Sequence, residues 1–158
     1  MSSDLDAILR NSLMEDWRLL AKSMGHLRAS YDKCLGMSVK SEYSVDELER
    51  FESLTARFAR VSDIYTQRIL KTLVALQREL APTFIDRVNL CEKLGIVPSA
   101  ADLRAVRDLR NSISHEYLDE DQEAFFRDVL GHVPKLLSSV QMTEDYVRRE
   151  MKIEVAET

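Results

Sequence analysis

Turn-forming residues are scarce in this chain. Four glycines and three prolines among 158 residues leave too few tight turns for a sandwich or barrel, whose short strands each need one. Cysteine is nearly absent. Cys34 and Cys91 lie far apart with no Cys-x-x-Cys spacing, which leaves a disulfide framework and a thiolate zinc site unsupported and fits a reducing compartment. No apolar run approaches a membrane span. The opening Met1-Ser2-Ser3-Asp4-Leu5-Asp6 has neither the basic nor the apolar stretch of a secretory leader, so a cytoplasmic protein without a membrane partner is expected. Positive charge is also short, with 22 Lys+Arg against 27 Asp+Glu and a formal net charge of -5. A general affinity for nucleic acid is thereby excluded, and any such contact must be local.

What the chain has in abundance is helical periodicity. Apolar residues make up 45% and charged residues 31%, a globular balance, and the length suits one domain, 1–158. Leu13, Trp17, Leu20, Met24, Leu27, Tyr31 and Cys34 alternate by four and three, the seam of a helix from about Asp4 to Leu35. Ser44 and Glu47 have capping-box spacing and open a second helix. Its stripe runs Phe51, Leu54, Phe58, Val61, Tyr65, Ile69, Leu73, Leu76 and Leu80, and Pro82 is expected to end it. Matching lengths predict an antiparallel hairpin. A short helix over about 83–94 follows, with Gly95 as its C′ residue. Ser99 and Asp102 open a fourth, with Leu103, Val106, Leu109 and Ile113 inward. The last helix spans Gln122 to about Lys152, with a kink or break expected at Gly131 and Pro134 and a frayed tail over 153–158. The fold predicted is an all-α up-and-down bundle of about five helices built on the long hairpin. Trp17, Phe51 and Phe58 suggest more apolar surface than one hairpin covers, and hence a homodimer.

Most of the chain is poor in reactive constellations. There is no His-Glu-x-x-His, no Gly-rich phosphate loop and no Gly-x-Ser-x-Gly elbow; neither a metal nor a cofactor is expected. His26 and His132 read as structural. The exception is Arg110-Asn111-Ser112-Ile113-Ser114-His115-Glu116-Tyr117. Asn111 and His115 share a helix face, and Arg110 can swing toward it. A histidine poised near neutrality moves protons, and an arginine holds phosphate by paired hydrogen bonds. Arg110 and His115 are therefore candidate catalytic residues of a metal-free phosphodiester-cleaving set, with Asn111 in support. The same cluster also suits plain capping of a helix end, with Arg110 paired to Asp108 or Glu116. Arg104, Arg107 and Arg110 are the local basic feature; Glu116, Asp119, Glu120 and Asp121 would repel phosphate.

Arg110, four residues, His115, one residue and Tyr117 form an Arg-x4-His-x-Tyr motif. With its setting after a long helix and the short helix ending Glu92-Lys93-Leu94-Gly95, it resembles the HEPN superfamily, in particular the HepT-like toxins encoded beside a minimal nucleotidyltransferase. The resemblance covers about 51–140. It implies a homodimeric, metal-independent endoribonuclease acting on RNA, with two motif copies facing each other across one cleft. His115 would transfer protons and Arg110 would hold the phosphate. Asn111 would match the polar residue that often follows the arginine. Tyr117 would match the tyrosine that a cognate nucleotidyltransferase antitoxin modifies with AMP. The rival reading is a non-catalytic helical dimer that binds nucleotide or serves as the nucleotidyltransferase's substrate-binding partner.

Overall fold

A computed structural model describes residues 2–113 and 121–158. The chain is an all-α bundle, with no strand among the described residues. The elements are α1 (Ser2–Leu35), α2 (Val45–Asp63), a π-helical segment (Ile64–Ile69), α3 (Leu70–Leu76), α4 (Phe84–Lys93), α5 (Ala100–Ile113) and α6 (Gln122–Arg149). Because α2, the π segment and α3 run on without interruption, the described residues form five rods. The Ser44–Glu47 capping box is present in both directions.

The first two rods make the expected antiparallel hairpin. Arg57 and Arg68 of the second rod, and Arg78 just past its end, tie it to α1. Arg57 donates to Ser30 Oγ at 2.7 Å, Arg68 meets Asp16 at 3.4 Å, and Arg78 reaches Ser2 Oγ at 2.9 Å. As one residue number rises, its partner's falls, which is antiparallel register. Trp17, Leu20, Met24 and Leu27 of α1 meet Phe51, Leu54, Phe58 and Val61 of α2 in a continuous core completed by Val129, Val133, Leu136 and Val140 of α6. Phe51 packs edge-on against Phe126, with ring centroids 4.8 Å apart. Trp17 and Phe58 are fully buried and Phe51 is 1% exposed. The folded protomer therefore covers them, and these side chains offer nothing to a second copy.

Four local expectations are corrected. The second rod ends not at Pro82 but at Leu76, where a Schellman turn intervenes. Arg78 takes φ 58, and Glu79 N–H bonds the Val74 carbonyl at 3.3 Å, satisfying the terminal carbonyls. Leu80 consequently leaves the stripe and is 95% exposed. Of the kink or break expected at Gly131 and Pro134, the break does not occur: the last helix runs on through both residues. Pro134 lies on its exposed side, so the lost backbone bond faces water while Val133 and Leu136 hold the helix to the core. The tail is docked rather than frayed: Ile153 and Val155 are buried, Arg148 binds Glu154 at 2.8 Å, and Thr158 N–H donates to the buried Glu144 carboxylate at 2.8 Å.

The π segment bears directly on the site. Widening the turn shifts hydrogen bonding to i→i+5, so Leu70 N–H bonds the Tyr65 carbonyl. The Thr66 carbonyl accepts instead from the buried Arg87 guanidinium at 3.0 Å. The Tyr65 and Thr143 hydroxyls share a hydrogen bond at 2.6 Å, and the Ile96 carbonyl lies 2.9 Å from Thr143 Oγ1 as an acceptor. Burial raises the Tyr65 phenol far above its ordinary range. This network pins the π segment to α4 and α6.

Candidate functional site

Position along α5 decides where each arginine goes. Ser99 Oγ accepts the Asp102 N–H at 3.1 Å, and the Glu92 carboxylate accepts the Ala100 N–H, fixing the start of the helix. Leu103, Val106 and Leu109 turn inward. The three arginines then diverge. Arg104 donates to Asn89 at 3.0 Å, Arg107 lies 4.2 Å from the centre of the Phe84 ring, and Arg110 meets Asp63 at the α2–π junction. They do not form one basic row.

The Arg110–Asp63 contact is bidentate. Arg110 Nε donates to Oδ1 at 2.7 Å and Nη2 donates to Oδ2 at 2.8 Å. Planar guanidinium and carboxylate match in this geometry, which fixes orientation as well as charge. The carboxylate raises the Arg110 pKa further, so the guanidinium is permanently cationic. The Asp108 backbone carbonyl accepts from Ser112 Oγ at 3.0 Å. Asn111 is exposed. His115 and Tyr117 lie outside the described residues, as do Glu116, Asp119 and Glu120. Asp121 serves as the N-cap of α6, accepting the Ala124 N–H at 3.2 Å.

Arg110 and Asp63 stand on the wall of a cleft of about 720 Å³ between α1 and the second rod. Lys22, Ser23 and His26 line it from α1; Arg60, Gln67 and Arg68 line it from the second rod. Leu19, Ala59 and Ile64 give it an apolar floor. His26, read from sequence as structural, thus shares a cleft with the motif arginine. Its backbone carbonyl is held by Arg57 at 3.1 Å. His132 lies within α6, its Nδ1 2.7 Å from the Asp128 carbonyl.

Sequence reasoning missed Asp63 and the cleft. The usable signal was the polar face of the second rod. Ala56, Arg60, Asp63 and Gln67 recur at helical spacing opposite the core stripe, and Lys22 and His26 do so on α1. Asp63 itself carries no local sign of its partner 47 residues away. Both thiols are buried, and burial pushes Cys91 up to about 12. Among the described residues no group of three or more His, Cys, Asp or Glu could hold a metal ion, and no helix is long and apolar enough to cross a membrane. Comparison with known proteins gave no matching family model, no matching curated protein and no matching solved structure.

Proposed function

We propose that this chain is a HepT-like, metal-independent endoribonuclease toxin restrained by a cognate minimal nucleotidyltransferase. The observation that carries the reading is the bidentate clamp of Asp63 on Arg110 at the wall of a cleft rich in cations. The arginine is oriented by a carboxylate from another rod, 47 residues away in the chain, a tie that reaches beyond its own helix end.

In the proposed reaction a base takes the proton of a ribose 2′-OH, the oxygen attacks phosphorus, and the 5′-oxygen leaves with a proton from an acid. The products are a 2′,3′-cyclic phosphate and a 5′-OH. Arg110 holds the phosphate oxygens as charge builds on them. His115 supplies one proton-transfer group per chain, and a two-fold homodimer supplies both. Leu5 and Ile8 of α1, 57% and 64% exposed, are apolar surface suited to such a contact. Tyr117 is the proposed site of AMP addition. The competing Tyr43 is already engaged, its hydroxyl accepting the Lys40 N–H at 3.0 Å and its ring packed on Phe126. The second reading, a non-catalytic nucleotide binder, draws on the cleft volume, which lies within the range of small-ligand sites.

The test is RNA incubation in EDTA with wild type, Arg110→Ala and His115→Ala. Wild type should release cyclic-phosphate ends, and each variant should lose about 10²-fold or more at unchanged helicity. Binding of ATP without any cleavage would favour the second reading. Incubation with the nucleotidyltransferase, ATP and magnesium should add AMP to wild type and not to Tyr117→Phe.

A further inference from the structure

We infer that the α1–second-rod cleft is a track for an extended phosphodiester strand, with Arg60, Lys22 and Arg68 meeting successive phosphates on either side of Arg110. The inference rests on the ribonuclease reading for the identity of the strand as RNA, and on the cleft itself for the rest.

The first argument is charge. The chain is acidic overall, at -5, yet Lys22, Arg60, Arg68 and Arg110 all line this one cleft, against Asp63 alone. Counting Asp16 at the rim, four cations face two carboxylates, a local balance of +2. Asp63 is occupied by Arg110. No carboxylate pairs with Lys22 or Arg60 among the described residues, and Arg68 meets Asp16 only at 3.4 Å with 56% of its side chain exposed. An exposed pair of that kind contributes little and yields readily to a phosphate.

The second argument is arrangement. The hairpin cross-links set the register: Arg57 lies level with His26–Ser30 and Arg68 with Asp16. Asp63 and its partner Arg110 therefore lie level with about Lys22. Along the rod axis the cations come in the order Arg60, then Lys22 with Arg110, then Arg68. At 1.5 Å rise per residue they spread over about 12 Å. A single phosphate would call for convergent donors; a row of cations suits a chain of phosphates. The apolar lining of Leu19, Ala59 and Ile64 gives the bases a surface to lie on, and no Phe, Tyr or Trp lines the cleft among the described residues, so sequence preference should be weak.

The third argument is rigidity. Lys22 and His26 project from a stretch of α1 anchored by the buried Met24 and Leu27, and the second-rod residues flank a π segment held by Arg87 and Tyr65. The charges are thus mounted on fixed rods.

The experiment measures binding of a 12-nucleotide single-stranded RNA by full-length His115→Ala protein in EDTA, so that cleavage does not interfere, across a salt series. Lys22→Gln/Arg60→Gln/Arg68→Gln should bind about tenfold or more weakly at 0.1 M salt. Its log–log salt slope should flatten by about 2, since each strand phosphate neutralised contributes about 0.7. The control Lys71→Gln/Lys93→Gln/Lys152→Gln removes equal charge from exposed positions outside the cleft and should leave the slope unchanged. Equal loss in both triples, or no loss in the first, overturns the track. Three single variants, each contributing about a third of the slope change, guard against misfolding of the triple. Wild type that binds through these residues but never cleaves would sink the ribonuclease reading and leave the track standing. Cleavage indifferent to all three would do the reverse.

Discussion

Asp63→Ala removes both oxygens that hold Arg110 and leaves the guanidinium without its carboxylate. Hydrogen bonds to charged groups contribute about 1.5–3 kcal/mol when protected from water, whereas exposed ion pairs contribute about 0–1 kcal/mol. Here the Arg110 side chain is 26% exposed and that of Asp63 47%, so solvent screening takes most of the gain. The bidentate geometry at 2.7 and 2.8 Å retains the rest. The expected coupling is about 1 kcal/mol, or roughly 2–4 °C in Tm for a chain of this size. Urea denaturation of wild type, Asp63→Ala, Arg110→Ala and the double variant isolates it as a cycle. RNA cleavage by Asp63→Ala should fall about 10- to 100-fold, less than for Arg110→Ala, because the charge remains while its orientation is lost. Asp63→Asn, which keeps one acceptor, should recover part of that loss. A coupling below about 0.3 kcal/mol would refute the clamp. Identical activity losses in Asp63→Ala and Arg110→Ala, each tracking stability, would make the pair a purely structural tie.

The buried thiol gives a pH signature. Cys91 is held protonated up to about 12 in the fold but ionises near 8.5–9 when unfolded. Between those values the unfolded chain binds fewer protons than the native one, so stability falls as pH rises, by up to about 1.4 kcal/mol per unit. Cys91→Ala should flatten this alkaline limb in denaturation at pH 8 to 11, and an unchanged limb would place the thiol in water. The docked tail makes Ile153→Ala costly, by about 2 kcal/mol or more; a loss within 0.5 kcal/mol of zero, or unprotected amides over 153–155 in hydrogen exchange, would show it undocked. Lys152 holds φ 55, a left-handed conformation that costs a side-chain-bearing residue about 1 kcal/mol, so Lys152→Gly should stabilise; lower stability in thermal melts would deny the strain.

The seam positions Leu13 to Cys34 and Phe51 to Leu73 were legible because helix period alone places them on one face, and two such faces of equal length can only cover each other. Caps were legible for the same reason: Ser44 with Glu47 and Ser99 with Asp102 act within four residues. Tertiary structure decided whatever depended on a distant partner. Pro134 fails to break α6 because the core on either side outweighs one lost hydrogen bond. The tail lies down because Glu144 and Arg148 wait for it. Arg104, Arg107 and Arg110, alike in sequence, part ways because α4 offers an amide and a ring while the α2–π junction offers a carboxylate. The motif could be read from Arg110 to Tyr117 as a string. That its arginine is aimed by Asp63, beside Lys22, Arg60 and His26, follows only from folding two rods into one cleft, since no local rule links residues so far apart in the chain.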